Sequence, residues 1–338
     1  MISLLRRFFS GLVSPASTAP DAPKPPETLQ APQKSSATHP AEPMNAAQTA
    51  WHLPAGLQQQ FLQLLFQPVL GHDLSHLEKP VYAAVGKLLT NASGAADLVP
   101  RVPAILPQVL KSLREKNLST SDLAQQISKD VVLVAELLHE VNGAYYSGGQ
   151  PVHQLDQAIR LLGINGLRML VAKNAFRPLI QNQRGYLTQQ VAPLLWAHSD
   201  LCTQAAQWLA RHRSREEVHV FLAALLWNAG LVIALRAADQ MGFVHQLPDH
   251  ADFLHTLLRQ GRYLSAQVGR HWQFPPQVIA IIEEAASETP ALNGDAQLLQ
   301  QASQLAMLRL LQAGDSPEVR ECISQLPEEL QACLEFIS

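Results

Sequence analysis

The chain has 338 residues, 47% of them hydrophobic and 16% charged, so it is long enough to bury a substantial core and is lean in charge. Its net charge of -3 and pI near 6.5 provide no electrostatic basis for nucleic-acid binding, which needs a strongly basic face. The spacings of the three cysteines match no zinc or redox motif. This indicates buried apolar side chains in a reducing compartment, at Cys202, Cys322 and Cys333.

Residues 1–13 form a short apolar run that Arg6 and Arg7 divide. One interpretation is an amphipathic segment in weak contact with a membrane surface, its arginines against anionic headgroups. The other is a frayed tail or a small docking helix. The pattern is not typical of a signal peptide, because the arginines interrupt the apolar run instead of preceding it. No stretch approaches the roughly 20 uninterrupted apolar residues expected of a membrane span.

Residues 14–50 have the composition of a linker. Between Ser14 and Pro43, prolines recur among Ala, Ser, Thr, Gln and Lys, and Leu29 is the only large apolar side chain. Such a segment buries too little apolar surface to offset the entropy lost on ordering. We therefore expect residues 14–50 to be a disordered, extended connection.

Apolar side chains first recur at helical spacing after Trp51. The pattern predicts one helix from Leu57 to Phe66 and another from Leu77 to Leu89. Two helices of this length are marginal alone, so residues 51–99 are predicted to be a small helical preface that packs on a larger body.

From residue 100 onward every well-patterned segment is helical, and alternating strand patterns are nearly absent. Gly163 is expected to end one helix and Pro178 the next. The sequence therefore predicts an all-α, compact multi-helix bundle over residues 100–310, with a C-terminal helix within 311–338 packed on it. The predicted helices cover 105–113, 123–129, 131–141, 155–162, 167–176, 191–213, 216–238, 251–272, 276–286, 296–312 and 317–336.

Several segments match, in order and spacing, the motifs of one family. They are Val102–Pro107, Leu123–Asp130, Leu137–Asn142, Leu155–Gly163, Trp196–Ser199 and Val268–Pro275. Together they resemble the HDOD domains, the "HD-related output domains" of bacterial signalling proteins, over roughly residues 100–310. The resemblance implies an HD-like helical fold. A packed helical bundle requires residues of the same kinds at these positions, so the motifs indicate a fold and do not indicate an activity.

The resemblance also shows where metal chemistry is missing. HD hydrolases hold one or two metal ions with histidines and aspartates from several helices, and the ions generate hydroxide and clamp phosphoryl oxygens. Matched onto this chain, one histidine survives as His198, the His-Asp pair becomes Trp227 and Asn228, and a further histidine becomes Ser265. The late histidine pair falls near Ala285 and Ala286, and the closing aspartate near Ser303.

One imidazole with an amide and a hydroxyl makes a poor site for a divalent ion, because both charge and ligand number fall short. We therefore expect no metal, no cofactor and no catalytic residue. The candidate site is instead a groove for a ligand or partner, left where the ions would sit and lined by His198, Trp227, Asn228 and Ser265. The other concentration of potential ligands, Asp249–Asp252 with His245 and His255, lies by a proline and is expected to be a solvated loop.

The resemblance implies a cytoplasmic bacterial protein in signal transduction or gene regulation, acting through contact with unidentified protein partners and without nucleic acid. Two alternatives stay open. One is a divergent metal-dependent phosphohydrolase acting on a nucleotide or cyclic dinucleotide. The other is a membrane-surface adaptor tethered by residues 1–13. The oligomeric state is left open.

Overall fold

A computed structural model describes residues 51–90, 131–142, 151–181, 184–241, 246–287 and 294–337, together with Pro107, Ile127 and Ser128. The predictions for residues 1–13 and 14–50 lie outside these ranges. So do the predicted helices 105–113 and 123–129, apart from the three isolated residues.

The described chain is helical almost throughout, which confirms the all-α prediction. Its two strands, β1 (Leu70–Gly71) and β2 (Leu247–Pro248), form a two-residue parallel pairing. The helices are α1 (Ala55–Phe66), α2 (Glu78–Thr90), α3 (Val131–Val141), α4 (Leu155–Gln181), α5 (Tyr186–His212), α6 (Glu217–Leu226), α7 (Ala229–Gln240), α8 (Ala251–His271), α9 (Pro276–Ala286), α10 (Gly294–Gln312), α11 (Pro317–Ser324) and α12 (Glu328–Phe336).

Helix α5 lies at the centre of the bundle, packed along α10 on one side and α6 on the other. Helix α7 packs along α8, α8 contacts α9, and α1 lies against α5, α8 and α10. The largest fully buried side chains include Phe61, Phe176, Trp227 and Phe253, contributed by four different segments. Burial of each such side chain stabilises the fold by roughly 1.5–3 kcal/mol, so the helices are held mainly through their shared core.

The single helix predicted over 216–238 is wrong, because the chain breaks at Trp227 and Asn228 into α6 and α7. At the break, a side chain from another helix forms hydrogen bonds with backbone groups that would otherwise bond within one continuous helix. Ser265 Oγ on α8 donates to the Trp227 carbonyl at 2.9 Å and accepts the Gly230 N–H at 2.9 Å. The backbone groups at the break are therefore satisfied by a residue that lies 38 positions beyond Trp227 in the chain.

The stretch Glu217–Gln240 that contains this break is also long and apolar enough, by composition, to span a membrane. In the structure, 94% of its most apolar window is buried within the protein.

Gly163 interrupts the helical backbone as predicted, with φ +65° and ψ 179°, a conformation that L side chains adopt only under strain. The stop predicted at Pro178 is wrong, since α4 continues to Gln181. Pro178 removes one backbone hydrogen bond in the last turn. Burial of Leu179 and Ile180, which follow it, favours continuing the helix.

The C-terminal segment forms two helices where one was predicted over 317–336. Pro327 explains the division, because proline disfavours helical backbone at the residue before it, here Leu326. Helix α12 returns to the bundle, where Glu329 accepts two hydrogen bonds from Arg213 of α5, at 2.8 and 3.0 Å. All three cysteines are free and buried, as the sequence indicated.

Candidate functional site

The four residues of the predicted groove come together at the centre of the bundle. His198 lies on α5, Trp227 and Asn228 at the α6–α7 break, and Ser265 on α8, and each exposes 2% or less of its surface. The structure thus brings the four together as a buried polar cluster within the core. Their role in binding a ligand or partner stays a prediction.

Both ring nitrogens of His198 are engaged by protein groups. The Ser303 carbonyl, 3.1 Å from Nε2, can only accept, so Nε2 carries the proton. Nδ1 then accepts from Asn228 Nδ2 at 2.9 Å. Asn228 Nδ2 also donates to Ser199 Oγ at 2.8 Å, and Ser199 passes its own proton to the Leu195 carbonyl at 3.0 Å. Every donor in this series of hydrogen bonds has an acceptor, so the donor and the acceptor of each bond are fixed.

The His198 imidazole is neutral. Burial, reinforced by the nearby charge of Arg262, lowers the pKa of His198 to about 4, although the bond to the Ser303 carbonyl acts in the opposite direction. The ring also packs against Phe61 of α1, with ring centroids 5.2 Å apart. An imidazole in this environment stays uncharged at neutral pH.

Trp227 links the same cluster to α10. Its indole Nε1 donates to Ser303 Oγ at 3.1 Å, so the position matched to the closing aspartate serves as a hydrogen-bond acceptor for the tryptophan. Ser265 completes the cluster through its bonds across the α6–α7 break and a third contact, 3.2 Å from its Oγ to the Gly261 carbonyl. The candidate residues therefore also connect α5, α7, α8 and α10.

Arg262 is the functional candidate that the sequence analysis missed. Its guanidinium carbon lies 4.7 Å from the centroid of the Trp227 ring, a cation–π arrangement. Burial lowers the pKa of Arg262 to about 10, which leaves it charged at neutral pH. The available signal was spacing, because His255, Arg259 and Arg262 share one face of α8.

That face of α8 borders a cavity of about 260 Å³. The wall also contains Ala285 and Ala286 of α9, the positions matched to the late histidine pair, and Gln300 of α10. Gln300 Nε2 donates to the Ala285 carbonyl at 2.7 Å, tying α9 to α10 beside the cavity. Arg262 thus stands between the buried cluster and an accessible space.

The histidines around Asp249 contact carboxylates at the surface. His72 Nδ1 lies 2.7 Å from Asp249 Oδ2, and His250 Nδ1 lies 3.0 Å from Glu78 Oε1. His255 faces the cavity instead, and His245 lies outside the described residues. Across the described ranges, no three His, Cys, Asp or Glu side chains converge on a point where an ion could bind.

The side chains at the matched positions do not fit a divalent metal. A metal-binding imidazole must offer a lone pair, yet Nδ1 of His198 accepts from Asn228 and Nε2 is protonated. Asn228 directs amide N–H groups, not oxygens, at its neighbours. Moreover, the partly buried Arg262 cation beside Trp227 would repel a second positive charge next to this low-dielectric core.

Comparison with known proteins agrees with the fold. In sequence, the chain is 23% identical over 207 residues to an uncharacterized protein of Treponema pallidum (strain Nichols), covering 58% of this chain and 39% of the relative. It therefore spans well under half of that relative's length.

Two solved structures share the fold at low sequence identity. An HDOD domain protein from Geobacter sulfurreducens aligns with a TM-score of 0.54 at 19% identity, over 74% of this chain and 93% of the other. A candidate metal-dependent phosphohydrolase from Shewanella amazonensis SB2B aligns with a TM-score of 0.52 at 18% identity, over 75% and 98%. At such identities the likeness shows the fold alone.

The sequence model of the HDOD domain matches residues 99–287, which is more than half of the chain. This range contains His198, the α6–α7 break and Ser265. The chain therefore belongs to the HDOD domain family.

Proposed function

We propose that this protein is a regulatory domain that transmits signals through protein contact and does not catalyse metal-dependent hydrolysis. The observation that carries the proposal is the state of His198, the one matched metal ligand that persists. Both of its nitrogens are bound within the protein, and its pKa of about 4 keeps the ring neutral without a metal.

The neighbours of His198 support the same conclusion. Where a catalytic site needs an open space for an ion and its water, Trp227 is buried and bonded to Ser303. Releasing His198 for a metal would leave Asn228 with an unpaired buried N–H, at a cost of about 1–3 kcal/mol. The cluster thus holds helices together where a hydrolase would hold ions.

Hydrolysis of a nucleotide or cyclic dinucleotide is the second candidate. It rests on the description of the Shewanella amazonensis protein as a candidate metal-dependent phosphohydrolase. The local chemistry disfavours it, because serines and alanines stand where further ligands are needed. Cellular location and contact of residues 1–13 with a membrane stay predictions from the sequence.

Metal content and hydrolysis separate the two candidates. The full chain, purified from cells grown with added manganese and iron, should contain far less than one ion per molecule by elemental analysis. It should not cleave bis(p-nitrophenyl) phosphate or a cyclic dinucleotide. One tightly bound ion per chain, with hydrolysis that EDTA abolishes, would overturn the proposal.

A double variant provides a matched control for the lost dipeptide. Trp227→His with Asn228→Asp restores the two residue types but leaves Ser265, Ser303 and the α9 alanines in place. We expect this variant to remain inactive, since too few ligands surround the ion. Hydrolysis by this variant would show that the remaining metal ligands are present, which would contradict the proposal.

Transmission by protein contact is tested by co-purification from native cells. Partners that bind a surface should persist with Trp227→Phe, which keeps the aromatic core but removes the bond to Ser303. Their loss in this variant, with the fold intact by circular dichroism, would assign recognition to the central cluster and contradict a surface mechanism.

A further inference from the structure

The cavity beside α8 has features that the proposed regulatory function does not use. Its polar wall residues are Gln58, His255, Thr256, Arg259, Arg262, Ser287 and Gln300. Two of the seven are arginines and a third is a histidine, whereas no Asp or Glu is found among the described residues that line it. The space is therefore suited to negative charge.

Arg262 is the central element of this cavity. Among the described residues, its buried Nε–H has no hydrogen-bond acceptor. A buried donor on a charged group is more costly to leave unpaired than a buried donor on a neutral group. The Trp227 ring stacks on the guanidinium, which lowers the entropy that this side chain would lose on binding a ligand.

We propose that the cavity is a metal-independent binding site for an oxyanion, namely phosphate or the phosphate group of a small metabolite, with Arg262 as its principal ligand. The guanidinium supplies the planar fork that recognises two oxygens of a phosphate at once. Thr256 adds a hydroxyl group and His255 an imidazole around the same space, which Ser287 also lines although its hydroxyl donates to the Glu284 carbonyl at 2.9 Å.

The size of the cavity limits the ligand. Its volume of about 260 Å³ lies just below the range of roughly 300–1,000 Å³ that is typical of small-molecule sites. A phosphomonoester fits this scale better than a dinucleotide does. Because α1, α8, α9 and α10 all contribute to the wall, a bound anion would also hold these helices together.

The test uses the full chain, with inorganic phosphate and ribose 5-phosphate as probes, at constant ionic strength and in the presence of EDTA. Calorimetric titration should show saturable binding of at least one probe, and thermal melting a rise in Tm with its concentration. Arg262→Gln should weaken binding about tenfold or more, as expected for the loss of a charge-assisted pair. Arg262→Lys, which keeps the charge but lacks Nε–H and the fork, should also bind more weakly than the wild type.

Arg270→Gln is the matched control, since Arg270 lies on the same helix but is half exposed and pairs with Glu283. It should bind the probes as the wild type does. If Arg262→Gln does not fold, Arg262→Lys carries the comparison. The proposal is overturned if neither probe saturates the wild type, if both Arg262 variants bind like it, or if binding requires a divalent metal. The last outcome would instead favour the hydrolase, whereas loss of anion binding alone would leave the regulatory proposal intact.

Discussion

A buried histidine needs a partner for each ring nitrogen, whether that partner is a metal or a protein group. At His198 the partners are the Ser303 carbonyl and the Asn228 amide. The replacement of a metal-site aspartate by asparagine is thus more than the loss of a ligand. The amide donates where a carboxylate could only accept, and this donation matches the lone pair that a metal would otherwise use.

The low pKa of His198 makes stability dependent on pH. The folded pKa of about 4 lies below the ordinary value of 6.5, so the unfolded chain binds the proton more readily. The stabilising contribution is present above pH 6.5 and is lost as pH falls toward 4. Between pH 7.5 and 5 this site should lower the free energy of unfolding by about 2 kcal/mol.

Urea unfolding of the wild type and of His198→Gln at both pH values measures this contribution. The difference in stability between the two proteins should shrink by about 2 kcal/mol at pH 5, because glutamine does not titrate. His52→Gln is the matched control, since the same substitution is made at an exposed histidine outside the central cluster. Parallel profiles for the wild type and His198→Gln would show that His198 is not kept neutral by the fold.

At the scale of elements, the close approach of α7 to α8 shapes the site. Gly230 opens the first turn of α7, and a Cβ added there would lie 2.0 Å from the Gly261 carbonyl oxygen and 2.3 Å from the Ser265 nitrogen. Both atoms belong to the backbone of α8, so neither can move without shifting the helix. The hydrogen bonds of Ser265 across the α6–α7 break depend on this spacing.

Gly230→Ala should therefore destabilise the protein by roughly 3 kcal/mol or more, at or above the upper end of overpacking costs. Gly56→Ala is a matched substitution in α1, where an added Cβ meets nothing within 4 Å. It should change stability by less than about 1 kcal/mol, in the stabilising direction. Chemical denaturation of both variants measures the effects. Equal stability of the two variants would show that α7 and α8 have room to separate.

A helix boundary could be predicted from the sequence when the residues that determine it lie within the same helix. The bounds of α3, α9 and α10 follow from apolar spacing within each helix, and the sequence places them within two residues. The start of α5 does not follow from apolar spacing. Asp239 of α7 accepts hydrogen bonds from the Leu187 and Thr188 N–H groups, at 2.8 and 3.1 Å, and these bonds extend the helix towards its N-terminus. The α6–α7 break and the stacking of Arg262 on Trp227 likewise depend on contacts between distant segments.

Family spacing placed His198, Asn228 and Ser265 near one another before the structure was known. In the structure they lie together, His198 and Ser265 on α5 and α8 and Asn228 at the α6–α7 break, while their role as a binding site stays a prediction. Spacing alone does not give the direction of a side chain, so it could not show that these residues form hydrogen bonds with one another. Those hydrogen bonds make this part of the bundle a filled core and not a cavity.

At the scale of the whole molecule, the structural core extends beyond the segment that defines the family. The family match ends at residue 287, yet Ser303 of α10 completes the central cluster and α10 packs along α5. On the N-terminal side, Phe61 of α1 covers the His198 ring. The family segment alone would expose the buried faces of both contacts.

Two truncated proteins test this dependence. A fragment of residues 51–287 lacks α10 and should lose the cooperative unfolding transition, because the apolar faces of α5 and α9 become exposed and the Trp227 and His198 bonds to Ser303 disappear. A fragment of residues 51–316 keeps α10 but loses both α11 and α12. In α12, Leu330 and Cys333 are buried and Glu329 pairs with Arg213. This fragment should retain a cooperative melt at a lower Tm. Circular dichroism melting distinguishes these outcomes. A sharp transition in the 51–287 fragment would show that residues 51–287 fold without α10, which would then be an accessory to the bundle.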